Sequence, residues 1–141
     1  MIELIVVVAV LGIIMAASAP FFLSYLRASA VQAGAEEMRT ILNGARQLAI
    51  RDNINMCVTN DGTRVQYRIG TCGGTVWAGS GTDTAGFIRL ANSITVTSAQ
   101  NVVFTYLGTA TVSGTYTVTD PHDGRTMSVT VVPSGRVSIG P

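Results

Sequence analysis

Hydrophobic and polar positions divide the chain into three stretches with different periods. From Leu4 to Leu26 every residue is uncharged, so a helix over this stretch has no face polar enough to suit water. Further on, Met38, Ile41, Leu42, Ala45, Leu48 and Ala49 recur at spacings of three and four, which places them on one face of a helix. Glu36, Glu37, Arg39, Arg46 and Arg51 fall mostly on the other face. Gly34 and Gly44 each lower helix propensity by about 1 kcal/mol without stopping the pattern. One long helix over residues 2–52 is therefore predicted, apolar all round in front and amphipathic behind. Pro20 removes a backbone hydrogen bond and crowds the preceding turn, so a kink or local unwinding is expected near Ala16 to Pro20.

Beyond Asn55 the period switches to two. The runs "MCVT", "RVQYRI", "FIRL", "ITVT", "VVFTYL", "TYTVTD", "TMSVTVV" and "RVSI" are short, β-branched and alternating. Turn chemistry separates them at Asp61-Gly62, Gly73-Gly74, Asp123-Gly124 and Pro133-Ser134-Gly135. Asp123-Gly124 between two alternating runs is a hairpin signal. The stretch "GGTVWAGSGTDTAG" reads as a surface loop carrying the single tryptophan. The predicted fold class is α+β: a long N-terminal helix whose amphipathic half packs on an antiparallel β-domain. The division follows as residues 1–26, a hydrophobic assembly or membrane helix; 27–53, the amphipathic half of the same helix; and 54–141, a β-rich globular domain.

Composition sharpens the front of this picture. Hydrophobic residues make up 48% of the 141 and charged ones only 12%, and the apolar excess lies before Arg27. The roughly 23 uncharged residues between Glu3 and Arg27 span about 34 Å of helix, enough to cross a bilayer core. The segment does not read as a secretory signal peptide, since it lacks a basic start and a cleavage site and its apolar run is too long. A bare apolar half-helix on a soluble β-domain needs either lipid or the apolar helices of identical subunits around it. Glu3 at the lip of such a segment costs several kcal/mol unless it has a partner.

Candidate chemistry is sparse. Cys57 and Cys72 are the only cysteines, flanking the Asp61-Gly62 turn. An even count, with neither a CxxC spacing nor a nearby histidine pair, favours one disulfide over a zinc site; two free buried thiols are the alternative. A disulfide implies an oxidising compartment, and closing a loop of about 15 residues stabilises by roughly 3 kcal/mol. Asp120, His122 and Asp123 in "TDPHDGRT" have metal-ligating side chains, but the run reads first as a polar turn, so no metal and no cofactor are expected. Glu36 and Glu37 are adjacent on a helix and point apart, as a solvated face does. No catalytic set emerges, and the glycines lack phosphate-loop spacing, so an enzyme is not expected. Net charge is +1 and all nine basic residues are arginine, with no basic run to suggest nucleic acid.

At this point the residues resemble those of type IV pilins and the pseudopilins of type II secretion. Mature chains of that family begin with a Phe-Thr-Leu-Ile-Glu-like stretch, followed by an uncharged helix bearing a glycine and a proline. Here "IEL" leads on through Gly12 to Pro20, and the intervals Glu3 to Gly12 and Gly12 to Pro20 match the family's. Glu3 stands two residues nearer the start than the family's glutamate, so two residues and a leader peptide are expected to precede Met1. The remainder is similar to the GspH/FimT-type subgroup: "ARQLAIRDNINMCVTNDG" resembles its helix end and first strand. The closing "VVFTYLGTATVSGTYTVTDPHDGRTMSVTVVPSGRVSI" resembles its last hairpins, with Gly135-Arg136 in the final turn.

The resemblance implies a structural pilin that polymerises through its N-terminal helix into an extracellular helical filament, with Glu3, Gly12 and Pro20 as assembly residues. The alternative it implies is a minor pilin or pseudopilin that primes a fibre or binds DNA or a secretion substrate. Implied partners are identical subunits, the inner membrane before assembly, the prepilin peptidase, which cuts the leader before the new terminus is methylated, and the pilus assembly machinery. Within such a filament the Glu3 carboxylate faces the amine of a neighbour's amino terminus, and losing one partner of that pair leaves a buried charge costing about 3–5 kcal/mol. Helix capping by Glu3 is the plainer alternative. Gly12 and Pro20 are also commoner in membrane helices than in soluble ones. Phe21, Phe22 and Tyr25 cluster where the helix leaves the membrane, as interfacial aromatics do. DNA-uptake relatives carry a Gly-Arg-x-Arg cluster near the carboxy terminus; here the second arginine is Ser138. Arg136, with Arg125 expected near it across the hairpin, makes a patch of two charges. That is thin for phosphate-driven affinity, so nucleic acid is not expected as a partner.

Overall fold

A computed structural model describes residues 2–141, with the side chains of residues 17–21 outside the description. Helix α1 runs from Ile2 to Asp52 without a break in its backbone assignment. The local unwinding expected near Ala16 to Pro20 is not seen, since the backbone is helical through these residues. Asn53 ends the helix in the left-handed region at φ 53°. Its N–H donates to the Ile50 carbonyl and the Ile54 N–H to the Ala49 carbonyl, the paired bonds of a Schellman stop. Asn tolerates this backbone better than most residues, and Ile54 then packs against the core.

Nine strands follow: β1 Met56–Asp61, β2 Arg64–Ile69, β3 Phe87–Arg89, β4 Thr95–Ser98, β5 Val102–Phe104, β6 Ala110–Val112, β7 Gly114–Thr119, β8 Thr126–Val131 and β9 Val137–Gly140. They form two antiparallel sheets. The first has the order β3-β2-β1-β5-β6 and the second β4-β7-β8-β9. The sheets meet where Gly62 bridges Val96, and the Asn60 side chain donates to the Val96 carbonyl at 2.9 Å while accepting from Ser98 at 2.6 Å. Asp61-Gly62, Asp123-Gly124 and Pro133-Ser134-Gly135 all turn the chain as predicted, with Gly62, Gly124 and Gly135 at positive φ. The strand missing from the sequence reading is β6, which is three residues long and preceded by Thr105–Thr109.

The back half of α1 closes the open side between the sheets. Met38, Leu42, Ala45 and Ala49 are fully buried and Ile41 nearly so, with Leu48 at the margin. Ala35 and Val31 extend the same face one and two turns earlier. Gly34 belongs to it for a steric reason, since a Cβ there would stand 3.1–3.2 Å from Ile94 and Val118. Two tyrosines fasten the layers with buried hydroxyls. Tyr67 of β2 donates to the Ile41 carbonyl of the helix at 2.7 Å, and a side chain at Gly44 would crowd that hydroxyl. Tyr116 of β7 donates to the Val58 carbonyl at 2.7 Å and accepts from the Val102 N–H at 3.0 Å, so a side chain of one sheet completes the β1–β5 edge of the other. Burial disfavours both phenolates, pushing Tyr116 up to about 12 and Tyr67 higher still.

Candidate assembly surface

The front of α1 presents a surface of a different kind. Every described residue from Ile2 to Ala16, and from Phe22 to Ser29, is exposed. Ile2, Leu4, Ile5, Ile13 and Met15 are each 67–76% exposed, and Phe22 and Tyr25 62% and 70%. A contiguous apolar surface of this extent on a folded chain marks an interaction site. Among the described residues no stretch of helix is long and apolar enough to cross a membrane; the span expected between Glu3 and Arg27 includes residues 17–21, whose side chains are not described. Glu3 lies in the first turn of α1, exposed, where the helix dipole favours a carboxylate. Nothing approaches within 4 Å of where a Cβ on Gly12 would stand. Pro20 and Phe21 lie outside the described side chains.

The β-domain holds the helix at points well beyond the buried face. Arg125, in the β7–β8 turn, donates to the Ser24 carbonyl at 3.2 Å. Glu37 accepts the Ala91 N–H at 3.0 Å, so one of the two carboxylates read as a solvated face is a clasp; the other, Glu36, pairs with Arg39 at 3.4 Å. Arg46 donates to the Gly108 carbonyl at 2.7 Å. Gly108 and Gly135 both have φ near +79°, and a Cβ on Gly135 would stand 2.0 Å from the Gly108 carbonyl oxygen. Glycine before Arg136 is therefore demanded by backbone conformation and by the close approach of two turns over the helix.

The arginine patch does not form. Arg125 precedes β8 and Arg136 follows its far end, because Val131 pairs with Val137 and Ser128 with Gly140. The two side chains start from opposite ends of a six-residue strand, roughly 20 Å apart at 3.3 Å per residue. Arg125 is also occupied by Ser24 and by Asp123 at 3.0 Å. The hairpin was expected to bring them together, but its register separates them.

Asp120, His122 and Asp123 are absorbed by the turn itself. Asp120 accepts from the His122 N–H at 2.9 Å and Asp123 from the Arg125 N–H at 3.1 Å. Among the described residues no group of three or more His, Cys, Asp or Glu side chains is placed to hold a metal ion. Cys57 and Cys72 form a disulfide with Cα atoms 5.1 Å apart. It ties the loop after β2 to the middle of the first sheet, and Cys57 is fully buried.

That loop differs from the surface segment expected of it. Trp77 is half-buried, its ring centroid 5.8 Å from that of Tyr67, and its backbone N–H donates to the Tyr67 backbone carbonyl. With Leu48 and Ile88 it lines an open cleft of about 380 Å³ beside the end of α1. On the outer face of the first sheet, Asp83 accepts from the Phe87 and Ala85 N–H groups. Those bonds, the Phe87 one foremost, hold its carboxyl below the usual range, with Arg89 and Arg64 adding charge attraction. The Arg64 guanidinium lies 4.3 Å from the Phe87 ring centroid.

Helix, clasps and two-sheet domain can be compared with known proteins. The family model of the type II transport protein GspH matches residues 34–135. The chain belongs to this family. The match begins at Gly34, so the domain and the buried half of the helix carry it, and the resemblance drawn from the closing hairpins is sound. No curated protein matches the sequence. Among solved structures the fold is similar to the type IV minor pilin FimU of Pseudomonas aeruginosa. That likeness has 17% identity and a TM-score of 0.59 over 83% of this chain and 92% of that one; a second crystal form gives 0.58. It is similar also to the minor pseudopilin EpsH from the Type 2 Secretion System of Vibrio cholerae, with 12% identity and a TM-score of 0.59 over 77% of this chain and 94% of that one. At these identities the likeness is one of fold: an N-terminal helix on antiparallel sheets.

Proposed function

We propose that the chain is a structural subunit that polymerises through the front half of α1 into a type IV pilus-like filament outside the cell, after residence in the inner membrane. The observation that carries this reading is the exposure of every described side chain from Ile2 to Ala16 on a chain whose domain is otherwise closed. Parallel packing of such helices removes that surface from lipid or water. Because lipid is nearly as apolar as the helices, packing and polar pairs must supply specificity. Glu3 is the polar group available for that purpose, opposite the amino terminus of a neighbour, and Gly12 offers a bare backbone for close helix approach. Pro20 sits where the family's helix bears its proline.

A second reading, a minor pilin or pseudopilin that primes a fibre or engages a substrate, draws support from the GspH family and from fold likeness to a minor pilin and a minor pseudopilin. Quantitative mass spectrometry of sheared filaments tests both. The chain as the dominant repeating component supports the first, a trace component the second, and its absence from filaments removes both. Glu3→Ala should lower incorporation at least tenfold while leaving the folded domain intact by circular dichroism.

A further inference from the structure

Beyond the front half of α1, large apolar side chains are exposed in few places, and three of them adjoin. Leu107 is 71% exposed and Tyr106 49%, both in the turn between β5 and β6, and Ile50 on the helix beside them is 49% exposed. The turn rests on that helix: a Cβ on Gly108 would stand 2.8 Å from the Ile50 side chain, and Arg46 holds the Gly108 carbonyl. Together they make an apolar knob fixed to the helix at residues 46–50.

The cleft lined by Leu48, Tyr67, Trp77, Ile88, Ser80 and Arg51 lies at the same level of the helix. Its helical wall is formed by Gly44, Gln47, Leu48 and Arg51. At about 100° per residue, Arg46 and Ile50 stand about 130° from the mean direction of Gly44, Gln47, Leu48 and Arg51. Knob and cleft therefore lie on opposite flanks of one helix at one height. A copy of the chain moved sideways, with its helix kept parallel, brings its knob to the cleft of its neighbour. That contact is head-to-tail, so each copy leaves a free knob and a free cleft, and repetition with rotation and a rise along the axis gives a helix of subunits.

We propose that the Trp77 cleft receives the Tyr106–Leu107 turn of a second copy of this chain. The inference rests on the assembly reading above and specifies the contact that sets the lateral register of the domains. A second copy is the occupant because the same parallel alignment that covers the front helices presents the apolar knob of one domain to the aromatic-lined cleft of the next. Leu107 enters between Leu48 and Trp77, and the Tyr106 ring covers the rim near Ser80 and Arg51.

The test uses the full chain in filament-forming cells. Tyr106→Cys and Ser80→Cys together, under mild oxidation, should give a ladder of three or more linked subunits from sheared filaments on non-reducing denaturing gels, while either change alone stops at dimers. Normal filament yield with no ladder overturns the contact and leaves the assembly reading standing. Absence of the wild-type chain from filaments overturns both. Independently, Trp77 is the sole tryptophan, so its emission should shift to shorter wavelength on assembly, and an unchanged spectrum overturns the proposal. Leu107→Asp, at an exposed tip, should lower incorporation about tenfold or more, the size of a hot-spot truncation; incorporation at the wild-type level counts against it.

Discussion

The two halves of α1 share one backbone and nearly the same apolar residue types, yet they do opposite things. Behind Val31, apolar side chains occupy one face, and that face is buried to 0–6% at its fully enclosed positions. Ahead of Leu26 they occupy every face, and among the described residues none is buried. The difference lies in periodicity and in what the rest of the chain supplies. Two sheets, Tyr67 and the clasps at Glu37 and Arg46 enclose the back half; at the front Arg125 reaches the Ser24 carbonyl, but among the described residues no side chain there is buried. A hydrophobic residue in this helix thus serves the fold or belongs to the proposed assembly surface according to which side of the residue 26–31 boundary it occupies.

Substitutions can break that contrast. Leu42→Ala removes a fully buried side chain between helix and sheets and should cost about 2–5 kcal/mol in urea unfolding of the full chain in detergent; a cost under about 1 kcal/mol would mean that the helix is not integral to the domain. Replacing Cys57 and Cys72 together by serine should cost about 3 kcal/mol while leaving filament incorporation of the surviving folded protein unchanged. Tyr116→Phe leaves the Val102 N–H and Val58 carbonyl without their partner and should cost about 1–3 kcal/mol, read from the same denaturant midpoint. The wild-type protein should also lose stability with rising pH. Tyr116 keeps its proton in the fold up to about 12, whereas an unfolded tyrosine loses it near 10. Its contribution is therefore full below pH ~10 and disappears as pH rises through about 12, a loss that Tyr116→Phe should diminish. At the small end, Ile13→Ala in the front half should change domain stability by no more than about 0.5 kcal/mol yet reduce filament incorporation. A change in stability comparable with that of Leu42→Ala would erase the distinction between the halves.

Much of this was legible along the chain, because periodicity is written in local spacing. The helix bounds at Ile2 and Asp52, most of the strands, and the turns at Asp61-Gly62 and Asp123-Gly124 follow from period and turn chemistry. The features that were not legible depend on residues far apart in sequence. β6 is three residues long with a mixed pattern, and its pairing with β5 passes through a register irregularity. Glu37 looks solvated on a helical wheel, and only the approach of Ala91, 54 residues later, gives it a task. Arg125 and Arg136 lie eleven residues apart and looked like hairpin neighbours. The β8–β9 pairing adds a third strand to the count, so they finish at opposite ends. Trp77 in a glycine-rich loop gave no local sign that it would fold back on Tyr67. The spacing of Glu3, Gly12 and Pro20 lies ahead of the matched domain, and it carries the proposed assembly role by resemblance, joined by the exposure of Glu3 and Gly12.

The clasps along α1 have a mechanical consequence. The domain grips the helix at Ser24, Glu37, Ile41 and Arg46, through Arg125, the Ala91 N–H, Tyr67 and the Gly108 carbonyl. These points are spread over about 33 Å of helix at 1.5 Å per residue. Tension applied along the helix axis loads all four bonds and the buried face at once, in shear, instead of peeling them one after another. The domain is thus mounted like a sleeve on a rod, and sliding it off requires the whole sleeve to yield together.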